Sequence, residues 1–275
     1  MEFYEILRAV RERTPLIQCI TNFVTVNDCA NILLAAGASP TMAQDIREVE
    51  EAVAVANGLV CNLGAIDLVD PMILAGKRAN ELGVPVVLDP VAAGGTALRR
   101  QLSAKLLEEV HFSAIRGNAS EIRALAGQES LGSGVDAAAW DTITTENLPR
   151  SVELIQKLAK RTGAVIAVSG AMDVVSDGTQ TILLHNGCAT MARITGSGCM
   201  LTTLIGAFCA AVPELPFEAT CAAMAAMGIC GEIAEEKRLQ NKTGNATFRT
   251  DLIDAVFNLT EQELKERIRY EVYKG

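Results

Sequence analysis

Residues 71–126 read PMILAGKRANELGVPVVLDPVAAGGTALRRQLSAKLLEEVHFSAIRGNASEIRALA. The spacing of apolar residues predicts a helix over 71–82 and a strand over 84–88 that ends at Asp89-Pro90. A helix over 100–110 follows. A strand over 112–115 then ends at Arg116-Gly117-Asn118, and Asn118 is placed to cap a helix over 119–126. Strands that alternate with crossover helices pair in parallel and are covered on both faces.

The same alternation extends to both sides. Upstream, helices are expected over 2–12, 26–36 (closed by Gly37) and 46–56, with a strand over 58–63 stopped by Gly64. Downstream come a helix over 151–161 and a strand over 164–168 ending at Ser169-Gly170. A hairpin over 173–176 and 179–185 is closed by Asp177-Gly178. Helices over 199–211, 217–237, 248–257 and 261–269 complete the chain. Residues 127–150, rich in Gly, Ser, Asp and Thr, read as a surface excursion with room for a short helical turn. No repeat or linker interrupts the pattern, so residues 1–275 are expected to form one domain. The fold class is α/β, a central mainly parallel sheet flanked by helices on both faces.

Composition fits that class. The chain has 275 residues, 49% of them hydrophobic but only 4% aromatic. Its core must therefore be built from Ala, Val, Ile and Leu, as buried parallel strands require. A net charge of −9 argues against a nucleic-acid partner, which calls for clustered Lys and Arg. The eight cysteines form no CxxC pair and sit mostly among apolar neighbours, which suggests reduced, buried thiols in the cytoplasm. The charged N-terminus lacks a signal-peptide core. No uninterrupted apolar run is long enough to predict a membrane span, and the Ala-rich stretch 217–233 reads as a buried helix.

Ligands of open parallel sheets bind beyond the carboxyl ends of the strands. That rule gathers Gly64, Asp89, Arg116–Glu121, Ser169-Gly170 and the turn Thr195-Gly196-Ser197-Gly198-Cys199. Two glycines before a long apolar helix can aim successive amides at an anion. No Lys follows, so this is not a Walker loop, and GxGxxG is absent, which disfavours an NAD-dependent dehydrogenase. By itself such a turn more often simply enters a core helix.

Arg116 can hold a phosphate through two parallel hydrogen bonds. Asn118 and Glu121 share a helix face, and a carboxylate there can hold Mg²⁺ or simply remain solvated. Asp89, at the end of a buried strand, needs a partner such as magnesium or a base, though it could serve only as a turn former. Cys199 at a helix N-terminus is expected to have a depressed pKa, which would suit a nucleophile, a base or a small space-filler. His111 and His185 read as strand-edge or surface residues. Segment 37–43 (GASPTMA), with Met42, and segment 20–25 (ITNFVT), with Asn22, could line a compact pocket or form structural loops.

Taken together, ITNFVTVNDCANILLAAGASPTMA, NLGA, VPVVLDPVAAG, IRGNASEI, VSGAMDVV and the TGSGC helix resemble the hydroxyethylthiazole kinase family, within the ribokinase-like kinases, from about residue 14 to 257. The resemblance implies phosphorylation of the alcohol of 4-methyl-5-(2-hydroxyethyl)thiazole by ATP and Mg²⁺, in thiamine biosynthesis or salvage. It also implies a homotrimer with active sites between subunits. Asp89 and Glu121 match the magnesium-linked acids. Arg116, Ser169 and Asn118 fall at the nucleotide-phosphate contacts, Ser169 where many relatives carry Thr. Met42, Gly196 and Asn22 match the thiazole side. Gly196, Ser197, Gly198 and Cys199 form the catalytic turn.

Cys199 stands where most ribokinase-like enzymes carry an Asp base, and thiazole kinases commonly have Cys there. The base is therefore either a Cys199 thiolate or the γ-phosphate itself, and Cys199→Asp is expected to stay active. The rival readings are a hydroxymethylpyrimidine-type kinase, a thiol enzyme acting through Cys199, and a silent nucleotide-binding regulator.

Overall fold

The computed structural model describes residues 2–127 and 142–274. Part of the expected excursion, with Trp140, lies outside the described residues. The strands are β1 (Leu16–Ile20), β2 (Ser39–Thr41), β3 (Gly58–Asn62), β4 (Val86–Asp89), β5 (Ala114–Asn118), β6 (Val165–Ser169), β7 (Asp173–Ser176), β8 (Thr181–Leu184) and β9 (Tyr270–Val272). They form one sheet in the order β2-β1-β3-β4-β5-β6-β7-β8-β9. Pairings from β2 through to β6 are parallel, and those from β6 to β9 are antiparallel.

The described helices are α1 (Phe3–Arg13), α2 (Val26–Ala36), α3 (Val49–Ala54), α4 (Val69–Leu82), α5 (Ala97–Glu109), α6 (Ala119–Leu125), α7 (Leu148–Thr162), α8 (Ser197–Ala211), α9 (Pro216–Asn241), α10 (Asn245–Asn258) and α11 (Glu261–Arg267). They divide between the two faces of the sheet. On one face α1, α2 and α8–α11 bury Ile6, Ile32, Phe208 and Phe248 against Ile17, Val60, Val87 and Ala167. On the other, α3–α7 pack Val53, Met72, Leu106, Ile122 and Ile155 against Leu59, Leu88, Ile115 and Ile166. Alternate residues of each strand thus feed opposite cores, as the period of two in a strand requires.

Three strands escaped the sequence reading. β1 has Gln18 in its middle, which breaks the apolar run although the residue is fully buried. β2 and β9 are three-residue edge strands, and β9 is exposed throughout. The helix expected over 46–56 begins only at Val49. Before it, Asp45 closes a turn by accepting from the Glu48 amide and from Arg47. The helix expected over 261–269 ends at Arg267, because Ile268 turns extended towards β9.

β5 runs on through Arg116 to Asn118, since β6 keeps pairing with it as far as Ser169. Helix α9 is long and apolar enough by composition to cross a membrane, but its apolar window is 83% buried inside the fold. It is a core helix here, in line with the reading of 217–233.

Candidate active site

Parallel pairing brings the ends of β1, β3, β4, β5 and β6 to one edge of the sheet, and the N-terminus of α8 points at the same edge. Gly196 caps α8 in the left-handed region, at φ 84°, where a side chain would be strained. A Cβ on it would also press on Thr25. The first helical bond runs from the Met200 amide to the Gly196 carbonyl at 2.8 Å. The amides of residues 197–199 precede that bond, and no side chain caps them. This is the anion-binding end of a helix dipole.

Two groups of side chains surround the turn. The first is compact and buried. Asn62 donates to Asp89 Oδ2 at 3.2 Å and to Cys199 Sγ at 3.2 Å. Asn22 donates to Cys199 Sγ at 3.6 Å and to Asn62 Oδ1 at 3.2 Å. Thr202, one turn below Gly198, donates to Asp89 Oδ2 at 2.9 Å. Burial pushes the Asp89 carboxyl up to about 6; the Arg116 charge opposes this, Glu121 reinforces it, and hydrogen bonds from Thr202 and Cys199 oppose it.

The Cys199 thiol is pushed up as well, by burial first and then by the Asp89 charge, with Thr25, Asn62 and Asn22 only partly opposing. The expected depression at a helix N-terminus is thus reversed. Desolvation and a neighbouring carboxylate outweigh the helix dipole, whose effect is small and local.

The second group is open. Arg116 hydrogen-bonds Ser169 across β5 and β6. Its guanidinium also lies against Gly198, where a Cβ would overlap it. Its Nε is buried without a partner. Asp173 Oδ1 accepts the Gly170 amide at 2.8 Å. Burial pushes its carboxyl up to about 7, against the Gly170 hydrogen bond and the Arg116 charge. These residues line a cavity of about 550 Å³. It runs from Ser197-Gly198 past Ser169-Gly170 to an apolar end formed by Met191, Met224 and Met227.

Glu121 sits beside both groups. Its Oε1 accepts the Ala92 amide at 2.9 Å and its Oε2 the Asn118 amide at 2.8 Å. The Asn118 carbonyl oxygen accepts in return from the Glu121 amide at 2.9 Å and from the Ser120 hydroxyl at 2.8 Å. Asn118 is thus the helix cap it was read as, and capping occupies its side-chain oxygen. Among the described residues no cluster of three or more His, Cys, Asp or Glu is gathered for a metal. Met42 belongs to neither of these two groups of side chains. It is half-buried just past the end of β2, two strands from β3 in the sheet order. His111 is exposed, and His185 pairs with Glu271 at 3.2 Å.

Asn62, Thr202 and Asp173 were not picked out from the sequence. The sequence reading ran the strand on to Leu63 and so left Asn62 inside it; β3 ends at Asn62, the register partner of Asp89 on β4. Asp173 read only as the start of a hairpin. Nothing local marked Thr202.

Comparison with known proteins shows the family and the fold. The family model described as "Hydroxyethylthiazole kinase family" matches residues 7–262. A hydroxyethylthiazole kinase of Clostridium acetobutylicum is 48% identical over 271 residues, covering 98% of this chain and 99% of the relative. One from Clostridium tetani is 46% identical over 268 residues, covering 97% and 96%. Among solved structures, the hydroxyethylthiazole kinase protein of Pyrococcus horikoshii OT3 superposes with a TM-score of 0.85 at 36% identity, covering 99% of both chains. An ADP complex of Bacillus subtilis pyridoxal kinase superposes at 0.57 with 16% identity, covering 78% of this chain and 90% of the other, which speaks to the ribokinase-like fold alone.

Proposed function

The chain belongs to the hydroxyethylthiazole kinase family, and we propose that it phosphorylates the alcohol of 4-methyl-5-(2-hydroxyethyl)thiazole with ATP, a step of thiamine biosynthesis. One observation carries the assignment of the site. The open cavity joins an arginine whose Nε lacks a partner to an uncapped helix start. A polyphosphate supplies the negative charge that a guanidinium and a helix start both attract. The triphosphate lies along Arg116, Ser169 and the amides of 197–199, and the nucleobase takes the apolar end at Met191, Met224 and Met227. The thiazole lies on the other side of the turn, towards Asn22, Gly196 and Met42.

The alcohol oxygen attacks the γ-phosphorus in line, the bond to the β-phosphate oxygen breaks, and ADP leaves. Arg116 and the helix amides balance the charge that develops on the transferred group. Burial first, and then the Asp89 charge, push the Cys199 thiol up, which disfavours a thiolate base. The alcohol proton therefore passes to an oxygen of the transferred phosphoryl group, and Cys199 orients the alcohol. The same upward push weakens the reading of the chain as a thiol enzyme.

Asp89, at the end of β4, and Glu121, in the first turn of α6, are hard oxygen donors close enough for the charge of one to act on the other. They would hold Mg²⁺ in the way that ion is commonly held, through one or two carboxylates with phosphate and water. When bound, the ion supplies charge neutralisation to the phosphates.

The chain works as a unit over residues 1–275, in the cytoplasm, where its eight free thiols stay reduced. The apolar side chains of Phe23 (90% exposed), Val24, Leu34 and Ile46 lie outside both cores, Phe23 and Val24 directly after Asn22. Covering them by a neighbouring subunit would place that subunit at the thiazole end of the site, in a homotrimer. Sedimentation should give a trimer for the native protein and smaller species for Phe23→Asp.

The deciding experiment is ADP release from ATP and Mg²⁺ with and without the thiazole, beside a hydroxymethylpyrimidine control. Thiazole-dependent release supports both reaction and substrate. Release with the pyrimidine alone keeps the reaction and discards the substrate. Silence with both from folded protein overturns the reading.

A further inference from the structure

Asn62 ends β3, is 1% exposed, and spends its entire amide inside the protein. Its Oδ1 accepts from the Gly64 amide at 2.8 Å and from Asn22 Nδ2 at 3.2 Å. Its Nδ2 donates to Asp89 Oδ2 and to Cys199 Sγ, each at 3.2 Å. An amide has two donors and two main acceptor sites, so this one is full.

Its orientation is fixed from both ends. A backbone N–H can only donate, so it must meet the oxygen. An ionised carboxylate can only accept, so it must meet the nitrogen. Asn22 is oriented in the same way, because its Oδ1 accepts from the Val24 amide at 3.1 Å and the Thr25 amide at 3.2 Å. Its Nδ2 is thereby turned to Asn62 and Cys199.

Two amide donors of fixed direction therefore meet at Cys199 Sγ, and the S–H proton is left to Asp89, whose carboxylate takes a hydrogen bond from Cys199. We infer that Asn62 is a positioning residue: one amide plane sets the Cys199 thiol, the Asp89 carboxylate and the Asn22 amide in a fixed relation beside the transfer turn. Asn62 is not placed in contact with either substrate, and the inference rests on the kinase reading above. Its consequence is a split between the two halves of the site. Disturbing Asn62 should misplace the groups around the alcohol while leaving the Arg116 cavity, which starts two strands away at β5, intact.

The test compares the wild type, Asn62→Asp, Asn62→Ser, Cys199→Ala and the double variant Asn62→Ser with Cys199→Ala. Asn62→Asp keeps the shape and the Gly64 bond but loses both donors. Asn62→Ser keeps a hydroxyl. Both single Asn62 variants should lose ~10–100-fold in kcat, a loss seen for residues that orient catalytic groups, with less than about a twofold change in KM for ATP. The Asn62→Ser loss should shrink several-fold in the Cys199→Ala background, because residues that act through one another are not additive.

Equal losses in both backgrounds, or a kcat within about twofold of the wild type for Asn62→Asp, would overturn the inference. So would failure of both Asn62 variants to fold, which would make Asn62 a folding residue. A wild type that does not turn over thiazole would instead sink the kinase reading, and the inference with it.

Discussion

The two sides of the transfer turn are built on opposite plans. On the β3–β4 side, Asn22, Asn62, Asp89 and Thr202 are locked to one another and to Cys199 by hydrogen bonds. On the β5–β6 side, Arg116 and Asp173 border an open cavity, and one nitrogen of Arg116 has no partner. A saturated cluster is pre-organised, with its geometry set before any ligand arrives. A guanidinium on the wall of an open cavity is available to an anion that enters it. The closed side thus fixes direction, and the open side supplies binding energy for charge.

Several experiments would break or sharpen that contrast. The largest effect is expected from Arg116→Ala. It should lower kcat/KM for ATP by ~10²–10³-fold, the usual cost of removing one strong transition-state donor, with little change in KM for thiazole. An equal loss on both substrates would erase the division between the two sides.

Gly198→Ala comes next. Its new Cβ would displace the guanidinium, which is the far end of a flexible side chain, so the protein should still fold. KM for ATP should rise by roughly tenfold, about 1.4 kcal/mol of lost binding. An unchanged KM would place the phosphates elsewhere.

Cys199→Asp is expected to stay active on the closed side, within ~100-fold of wild type in kcat, the span a positioned acid–base group typically contributes at its low end. Complete loss of turnover with intact circular dichroism would give the thiol a role no carboxylate can fill.

The smallest effect concerns stability. Asp173 is ionised near neutral pH only against burial, with its folded value pushed up to about 7. Below about pH 4 both folded and unfolded chains hold this proton, so the group is neutral in its effect. Between that pH and about 7 the unfolded chain releases it while the folded one keeps it, so stability falls as pH rises. Asp173→Asn keeps an oxygen for the Gly170 amide and removes that penalty. Its melting temperature should exceed that of the wild type by roughly 3 °C or more at pH 8, and by less at pH 5. The same gain at both pH values would mean that Asp173 is ionised at no cost.

The open side was much easier to read in the sequence than the closed one. Arg116 and Ser169 each follow an apolar strand, and Gly196-Ser197-Gly198 opens a helix, so simple strand-end logic finds them. Asn62 was read as an interior residue of a strand running on to Leu63, so strand-end logic passed over it. Its meaning depends on register with Asp89 and on a helix 137 residues away in sequence. The Cys199 pKa was misjudged for a related reason. The helix start is visible locally, whereas burial and the nearness of Asp89 exist only in the folded chain. The architecture followed from alternation, yet β1 was hidden because Gln18 is a polar residue buried with its Nε2 hydrogen-bonded to the Ala43 carbonyl.

The eight thiols have a practical consequence. Six are buried, at Cys19, Cys29, Cys61, Cys209, Cys221 and Cys230, and only Cys188 and Cys199 reach towards solvent. The buried six are distributed over β1, α2, β3, α8 and α9, and burial holds each of them as an unreactive protonated thiol. An alkylating reagent in excess would mark at most the two accessible positions quickly, and each further adduct would record an opening event. The sequence of adducts, read by mass, would time the loosening of individual layers without any added label.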